Sequence, residues 1–184
     1  MSPIVVIAPE STSYQIVQRV ATELGIQDKI LLHLTGLSRS LSVARKAEEE
    51  GAYVIVARGW SANQIVEAGI RTPLVFLPIS MQDLVYVLDQ ALAKAAKPNP
   101  RVGFIVYPQL QKELVALSSL LHVDLRIYPS GSDKEDMRRA IAQAVRDKVD
   151  VFIGGETSIA MAESMGLCCQ LLVCDEMSIR QALL

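Results

Sequence analysis

The sequence carries no surplus of either charge. Its 184 residues hold 18 Lys and Arg against 20 Asp and Glu, a formal net charge of -2. Gripping nucleic acid takes clustered basic side chains to neutralise phosphates, so direct nucleic-acid binding by this chain is not expected. No apolar run approaches the ~20 residues of a membrane span. The N-terminus lacks the basic stretch, apolar stretch and cleavage site of an exported protein, so a cytoplasmic setting is expected. Cysteine is scarce. Cys168, Cys169 and Cys174 read as reduced thiols rather than a disulfide frame. No C-x-x-C and no His, Cys or Asp set stands at metal-ligand spacing, so neither a metal nor a cofactor is expected. The two histidines, His33 and His122, are far apart and read as packed or surface residues. With 8 Pro and 10 Gly and no low-complexity tract, disorder and collagen-like structure are excluded as well.

Apolar residues are plentiful, at 51% against 21% charged, enough for a substantial core and some apolar surface left for a partner. They fall into short runs at 4–8, 30–34, 53–57, 74–77, 102–107, 123–128, 151–153 and 170–174. Most are rich in β-branched residues and do not alternate, the pattern of strands buried on both faces. Helical stripes lie between them. Tyr14, Val17, Val20, Ala21 and Leu24 form one, closed by Gly25; Leu41, Ala44 and Ala47 form another, closed by Gly51. Leu114, Leu117, Leu120 and Leu121 form a third, and Ser132 with Glu135 reads as the capping box of a fourth. Strands alternating with helices predict βαβ units and parallel sheets.

The order repeats. Tyr53-Val-Ile-Val-Ala-Arg-Gly-Trp-Ser, a helix, Gly69-Ile70 and a strand are matched by Asp150-Val-Phe-Ile-Gly-Gly-Glu-Thr-Ser, a helix, Gly166-Leu167 and a strand. Ser80 and Asp175 open the helices that follow. An internal repeat of this kind predicts two pseudo-symmetric α/β lobes. We expect Rossmann-like lobes of the periplasmic-binding-protein or chelatase type, each a parallel sheet of about four strands flanked by helices. The Pro-rich stretch Lys97-Pro98-Asn99-Pro100 sets the expected boundary, with lobes over 1–97 and 98–184, and it serves as the expected hinge. The last helix is expected to pack back on the first lobe. The sequence stops within that helix, without a C-cap glycine or polar tail, and reads as a piece of a longer protein.

Ligands of open parallel sheets bind outside the carboxyl ends of the strands, and clefts between lobes commonly hold small molecules. The residues at those ends are therefore the expected ligand-binding set: Arg58, Gly59, Trp60, Ser61, Ser80, Asp83, Gly154, Gly155, Thr157 and Ser158. Pro9-Glu10-Ser11, Thr35-Gly36, Tyr107-Pro108 and Asp175 stand at the other strand ends. Arg58 offers a two-pronged fork to a carboxylate or phosphate, with Ser61 as N-cap of the next helix, or it pairs with a structural acid. The local sequence weighs these equally. Gly154-Gly155-Glu156-Thr157-Ser158 is either a turn whose backbone approaches a ligand or a tight turn capped by Thr157 or Ser158. It lacks the dinucleotide glycine pattern and the P-loop lysine. Trp60, the one tryptophan, walls a cleft, covers a ligand or packs between lobes. Ser80-Met81-Gln82-Asp83 is a capping pattern first and a ligand contact second. No Ser-His-Asp arrangement is evident. Cys174 ends a strand, but its counterpart at Leu77 has no thiol, which argues against two-thiol proton abstraction and makes binding without catalysis the simpler account.

These residues resemble the N-terminal sensor domain of PrpR-type propionate-catabolism activators, sigma-54-dependent bacterial transcriptional regulators. Ala57-Arg58-Gly59-Trp60-Ser61-Ala62 stands where the family tends to have Ser-Arg-Gly-Gly-Thr-Ala. Leu77-Pro78-Ile79-Ser80-Met81-Gln82-Asp83 stands where it has Ile-Pro-Val-Ser-Gly-Tyr-Asp. The stretch from Gly154-Gly155 to Gly166-Leu167 and the closing Met177-Ser178-Ile179-Arg180-Gln181-Ala182-Leu183 are similar too. The resemblance implies an effector cleft between two lobes, a cytoplasmic location, assembly as a homodimer, and a parent protein with AAA+ ATPase and helix-turn-helix domains. In the propionate branch the effector is 2-methylcitrate, and Arg58 with the hydroxyl loops would suit a small carboxylate. Trp60 in place of Gly, and Met81-Gln82 in place of Gly-Tyr, point to a smaller or partly apolar ligand. The competing readings are a racemase or lyase using Cys174 and a ligand-free dimerisation module.

Overall fold

The computed structural model describes residues 3–106, 110–131 and 133–184. Its elements run β1 (Ile4–Ala8), α1 (Ser11–Glu23), β2 (Ile30–Leu34), α2 (Leu37–Glu49), β3 (Val54–Ala57), α3 (Gly59–Glu67), β4 (Leu74–Phe76), α4 (Met81–Ala95), β5 (Arg101–Val106), α5 (Gln111–Leu121), β6 (Asp124–Pro129), α6 (Lys134–Arg146), β7 (Val151–Gly154), α7 (Glu156–Ser164), β8 (Cys169–Leu171) and α8 (Glu176–Leu183). A single 3-10 turn, Gln27–Lys29, leads into β2. The strands form two four-stranded sheets in the orders β2-β1-β3-β4 and β6-β5-β7-β8, the same order repeated, as the internal repeat predicts. Every described pairing is parallel.

In the first unit the sheet is covered on both faces. Val5, Ile7, Ile55 and Ala57 pack with Ala44 and Ala47 of α2 and Ala62 and Ile65 of α3. Val6 and Val56 face the other way, onto Val17 and Val20 of α1 and Ile179 and Leu183 of α8. Successive residues of a strand point to opposite faces, so two apolar faces give an unbroken apolar run instead of alternation.

The chain divides into Met1–Ser80 with Val173–Leu184, and Met81–Leu172. This differs from the expected division into 1–97 and 98–184. α4 belongs to the second unit, where it packs on β7 and β8 with Leu84, Val87, Leu88 and Ala91 buried. Lys94 Nζ donates to the Cys169 carbonyl at 2.5 Å, and Gln170 Nε2 donates to Gln90 Oε1 at 2.9 Å. The Lys97–Pro100 stretch is thus a turn inside the second unit, and the chain passes between units at Ser80–Met81 and Leu172–Val173. α8 packs on α1, with Arg19 paired to Glu176 at 2.7 Å and Arg180 paired to Glu23.

Several local expectations change. The third leucine stripe is only half core: Leu114 and Leu117 are buried, whereas Leu120 is 74% exposed. Ser132 lies outside the described residues, and α6 is capped by Asp133, whose side chain accepts from Glu135 N at 3.3 Å. Tyr107-Pro108 also lies outside them. β8 ends at Leu171, so Cys174 sits in the loop after the strand.

Asp150 ties the α4–β5 turn to the start of β7. Its Oδ1 accepts from Lys97 Nζ at 2.5 Å and its Oδ2 from Arg101 N at 2.7 Å. The Lys97 bond, then the Arg101 amide, holds this carboxyl below the usual carboxylate range. A depressed folded-state pKa stabilises above the unfolded value and loses that effect as pH falls through the folded one. Asp150→Asn is therefore expected to lower the melting temperature at pH 7. The gap to wild type should close below about pH 4, near the ordinary Asp value. An equal gap at pH 3 and pH 7 would remove the charge from the account.

Candidate functional site

The order β2-β1-β3-β4 has its topological switch point between β1 and β3. The chain leaves β1 through α1 to one neighbour and reaches the other through α2 on the opposite face. Crevices of this kind, at the carboxyl ends of the strands, are where open α/β sheets take ligands. Glu10 stands two residues beyond β1 and Arg58 directly beyond β3. Both are buried, at 6% and 7% exposed. Among the described residues Ser13 and Ser61, in the first turns of α1 and α3, are buried too, as are Thr35, directly beyond β2, and Ser40 in α2.

Arg58 is the N-cap residue of α3 by its backbone (φ -126°, ψ 150°), with no side-chain capping bond. Gly59 opens the helix at φ +54°, a left-handed conformation that costs a side-chain-bearing residue and suits glycine. The Arg58 side chain turns into the first unit, where Nη1 donates to Cys174 Sγ at 3.1 Å. Cys174 Sγ in turn donates to the Pro78 carbonyl at 3.4 Å. Cys174 is 1% exposed and packs among Val6, Val17, Leu77 and Ile179. Ser61 is the third residue of α3 and buried, so it does not cap that helix. Trp60 lies in the first turn of α3 and not in a loop, half-buried.

In the second unit Gly154 ends β7 and Gly155 is the N-cap residue of α7, again without a side-chain cap. Thr157 and Ser158 are inside the helix; Ser158 is fully buried and donates from Oγ to the Gly155 carbonyl at 2.8 Å. Neither is the cap expected of it. A Cβ on Gly154 would lie 2.3 Å from Ser158 Oγ and 2.8 Å from Ile105 Cγ2, whereas one on Gly155 would meet nothing within 4 Å. Asp83 is buried in the first turn of α4. Arg58, Gly59, Trp60, Ser61 and Ser80 thus belong to the first unit, and Asp83, Gly154, Gly155, Thr157 and Ser158 to the second.

One regularity escaped the sequence reading. The third residue of α1, α3, α4, α7 and α8 is a buried small polar residue: Ser13, Ser61, Asp83, Ser158 and Ser178. At that position a side chain leans back toward the N-cap and the strand end. Two of these helices show a capping acid three residues earlier. Glu10 Oε1 accepts from Ser13 N at 3.2 Å, and Asp175 Oδ1 accepts from Ser178 N at 2.7 Å. The signal was present as Glu-x-x-Ser and Asp-x-x-Ser. Elsewhere in the first unit, α1 and β2 border a cavity of about 310 Å³ lined by Tyr14, Gln18, Thr22 and Leu32 among others. It has no charged lining residue and includes none of the strand-end residues.

No helix among the described residues is long and apolar enough to cross a membrane. No curated protein sequence matches the chain. A crystal structure of an NtrC family transcriptional regulator from Clostridium acetobutylicum superposes with a TM-score of 0.80 at 14% identity, over 100% of this chain and 94% of that one. An ABC domain from Streptococcus pneumonia, solved in complex with L-Trp, gives 0.53 at 13% identity, over 98% and 81%. At such identities these likenesses concern the fold, and both chains share the two-unit α/β architecture seen here. The family model described as propionate catabolism activator, PrpR_N, matches residues 25–184, from the end of α1 through α8. That match takes in the Arg58 and Gly154 turns, and by it the chain belongs to the propionate catabolism activator (PrpR_N) family.

Proposed function

We propose that the chain is the small-molecule-sensing domain of a sigma-54-dependent transcriptional activator. In this reading it binds a small carboxylate metabolite in the cytoplasm and so controls the AAA+ ATPase and helix-turn-helix domains of its parent. It acts as a homodimer and by binding, without catalysis. The observation that carries the reading is a buried arginine, Arg58, at the switch point of a sheet in a member of this family. A buried guanidinium is a planar, permanently charged set of donors that matches a carboxylate. Gly59, Trp60, Ser61 and Ser80 surround that role in the first unit. Asp83, Gly154, Gly155, Thr157 and Ser158 are the corresponding residues of the second. Effector control requires that the ligand favour one arrangement of the protein over another.

Burial of Cys174 supports a binding role over an enzyme built on that thiol. A nucleophile or proton-abstracting thiol needs access to substrate, and this one is 1% exposed, shut in by apolar side chains and the Arg58 guanidinium. Cys174→Ser is accordingly a poor route to any loss of turnover.

The test is a thermal-shift screen of the purified chain against small carboxylates, amino acids, aromatic acids and phosphorylated metabolites. A ligand at 100 times its Kd stabilises the folded state by about 2.7 kcal/mol. We expect a reproducible upward shift from at least one carboxylate, abolished in Arg58→Ala. Calorimetric binding that is unchanged in Arg58→Ala would remove Arg58 from the site. No shift from any acid, with dimerisation intact, would leave the domain as an interaction module.

A further inference from the structure

We infer that the effector carries an ammonium group beside its carboxylate, and that Glu10 receives it. The inference rests on the proposed sensing role and goes further by naming a second anchoring residue and the ligand class. Glu10 lies outside the stretch matched by the family model.

Three observations carry it. The first is an unmet acceptor. Glu10 is 6% exposed, and its Oε1 accepts from the backbone N and the hydroxyl of Ser13. Its Oε2 is fully buried and has no hydrogen-bond partner among the described residues. Buried polar atoms are nearly always paired, and a carboxylate oxygen left alone is costly. The second is the residue type. Capping favours short side chains, and α6 and α8 use Asp133 and Asp175 for it. Capping α1 needs one short acceptor, so it accounts for Oε1 and leaves the longer side chain and its second oxygen unexplained. The third is position. Glu10 and Arg58 stand at the carboxyl ends of β1 and β3, the neighbouring strands that flank the switch point.

The chemistry follows from what each group can do. A guanidinium only donates; an ionised carboxylate only accepts. The buried Oε2 of Glu10 needs a donor. A plain acid brings none to it, and a hydroxy acid brings only a neutral one. A zwitterion with its carboxylate at Arg58 and its ammonium at Glu10 makes a charge-assisted hydrogen bond at each end.

Calorimetry of the purified chain with three matched sets of acids tests this. The sets are propionate, L-lactate and L-alanine; succinate, L-malate and L-aspartate; 3-phenylpropionate, L-phenyllactate and L-phenylalanine. In at least one set the amino member should bind at least tenfold tighter than its plain and hydroxy partners. Glu10→Gln should erase that preference while leaving the affinity for the plain acid. Glu10→Asp retains a capping acid and draws the carboxylate back by one methylene. It should also erase the preference, at an unchanged melting temperature, which guards against a folding defect in Glu10→Gln. A preference that survives both substitutions overturns the inference, as does a hydroxy or plain acid binding as tightly as its amino partner. If plain acids bind and Arg58→Ala abolishes that binding, the sensing role stands and only the Glu10 assignment falls. If none of the nine acids binds, both fall.

Discussion

A chain ending at Asp175 is expected to lose the fold of its first unit. α8 is only eight residues long, too short to be stable alone, and it is held by packing. Ile179 is fully buried and Leu183 is 9% exposed, both against Val6, Val17, Val20, Val56 and Leu77. Burying a large aliphatic side chain contributes about 1.5–3 kcal/mol, so these two contribute about 3–6 kcal/mol. Their removal also uncovers one apolar face of a four-stranded sheet. A domain's whole stability is about 5–15 kcal/mol, so the loss is a large part of it. The ion pairs Arg19–Glu176 and Arg180–Glu23 contribute far less, because exposed pairs are worth about 0–1 kcal/mol. The ranking is therefore sharp. Ile179→Ala should cost about 2–5 kcal/mol, and Arg180→Ala under about 1 kcal/mol. Amide hydrogen exchange would check the truncation: β1 and β3 should lose protection while β5 and β7 keep theirs. Full protection of β1 after truncation would show that α8 is dispensable to the sheet.

The strands and the doubling of the fold were readable because the inner strands are covered on both faces, which leaves unbroken apolar runs, and because the second half repeats the first, whereas the order of strands within a sheet was not. Which sheet each helix would cover was not readable. The stripe Leu84, Val87, Leu88 and Ala91 specifies a buried face of α4, but an apolar face says nothing about its partner, and the Pro-rich stretch after it resembles a linker. The same limit affects α5, where Leu114 and Leu117 find a core and Leu120, on a similar spacing, does not. At the site, Arg58 and the Gly154-Gly155 turn were visible as strand-end residues. The capping details were not, because α3 and α7 begin on backbone caps and their serines pack inward instead. Glu10 stood among the strand-end residues but outside the expected ligand-binding set, because nothing in the local sequence marks a glutamate beside a helix start as buried. Only its burial, with one oxygen unmatched, gives it a different meaning.

The two adjacent glycines of the second unit should respond oppositely to alanine. Gly154→Ala places a methyl 2.3 Å from Ser158 Oγ and 2.8 Å from Ile105 Cγ2, closer than such atoms can approach. Ile105 is 3% exposed on β5, an inner strand, and has little room to yield. Ser158 can rotate only by giving up its bond to the Gly155 carbonyl. Overpacking of this kind costs about 1–3 kcal/mol, and two clashes place Gly154→Ala toward the upper end. Gly155 has φ -78° and open space around it, so Gly155→Ala fits without strain and should change stability by no more than about 0.5 kcal/mol, or raise it through the unfolded chain. A double-mutant cycle divides the Gly154 cost. In a Ser158→Ala background the hydroxyl clash is gone and the Ile105 clash remains, so Gly154→Ala should cost about 1 kcal/mol less there. Equal costs in both backgrounds would assign the whole effect to Ile105, and a cost near zero with Ser158 in place would overturn the steric account. Gly155 then separates packing from ligand contact. If Gly155→Ala leaves the melting temperature in place but removes the shift given by a carboxylate, the open face at the start of α7 serves the ligand. If it leaves both unchanged, the turn takes no part in binding.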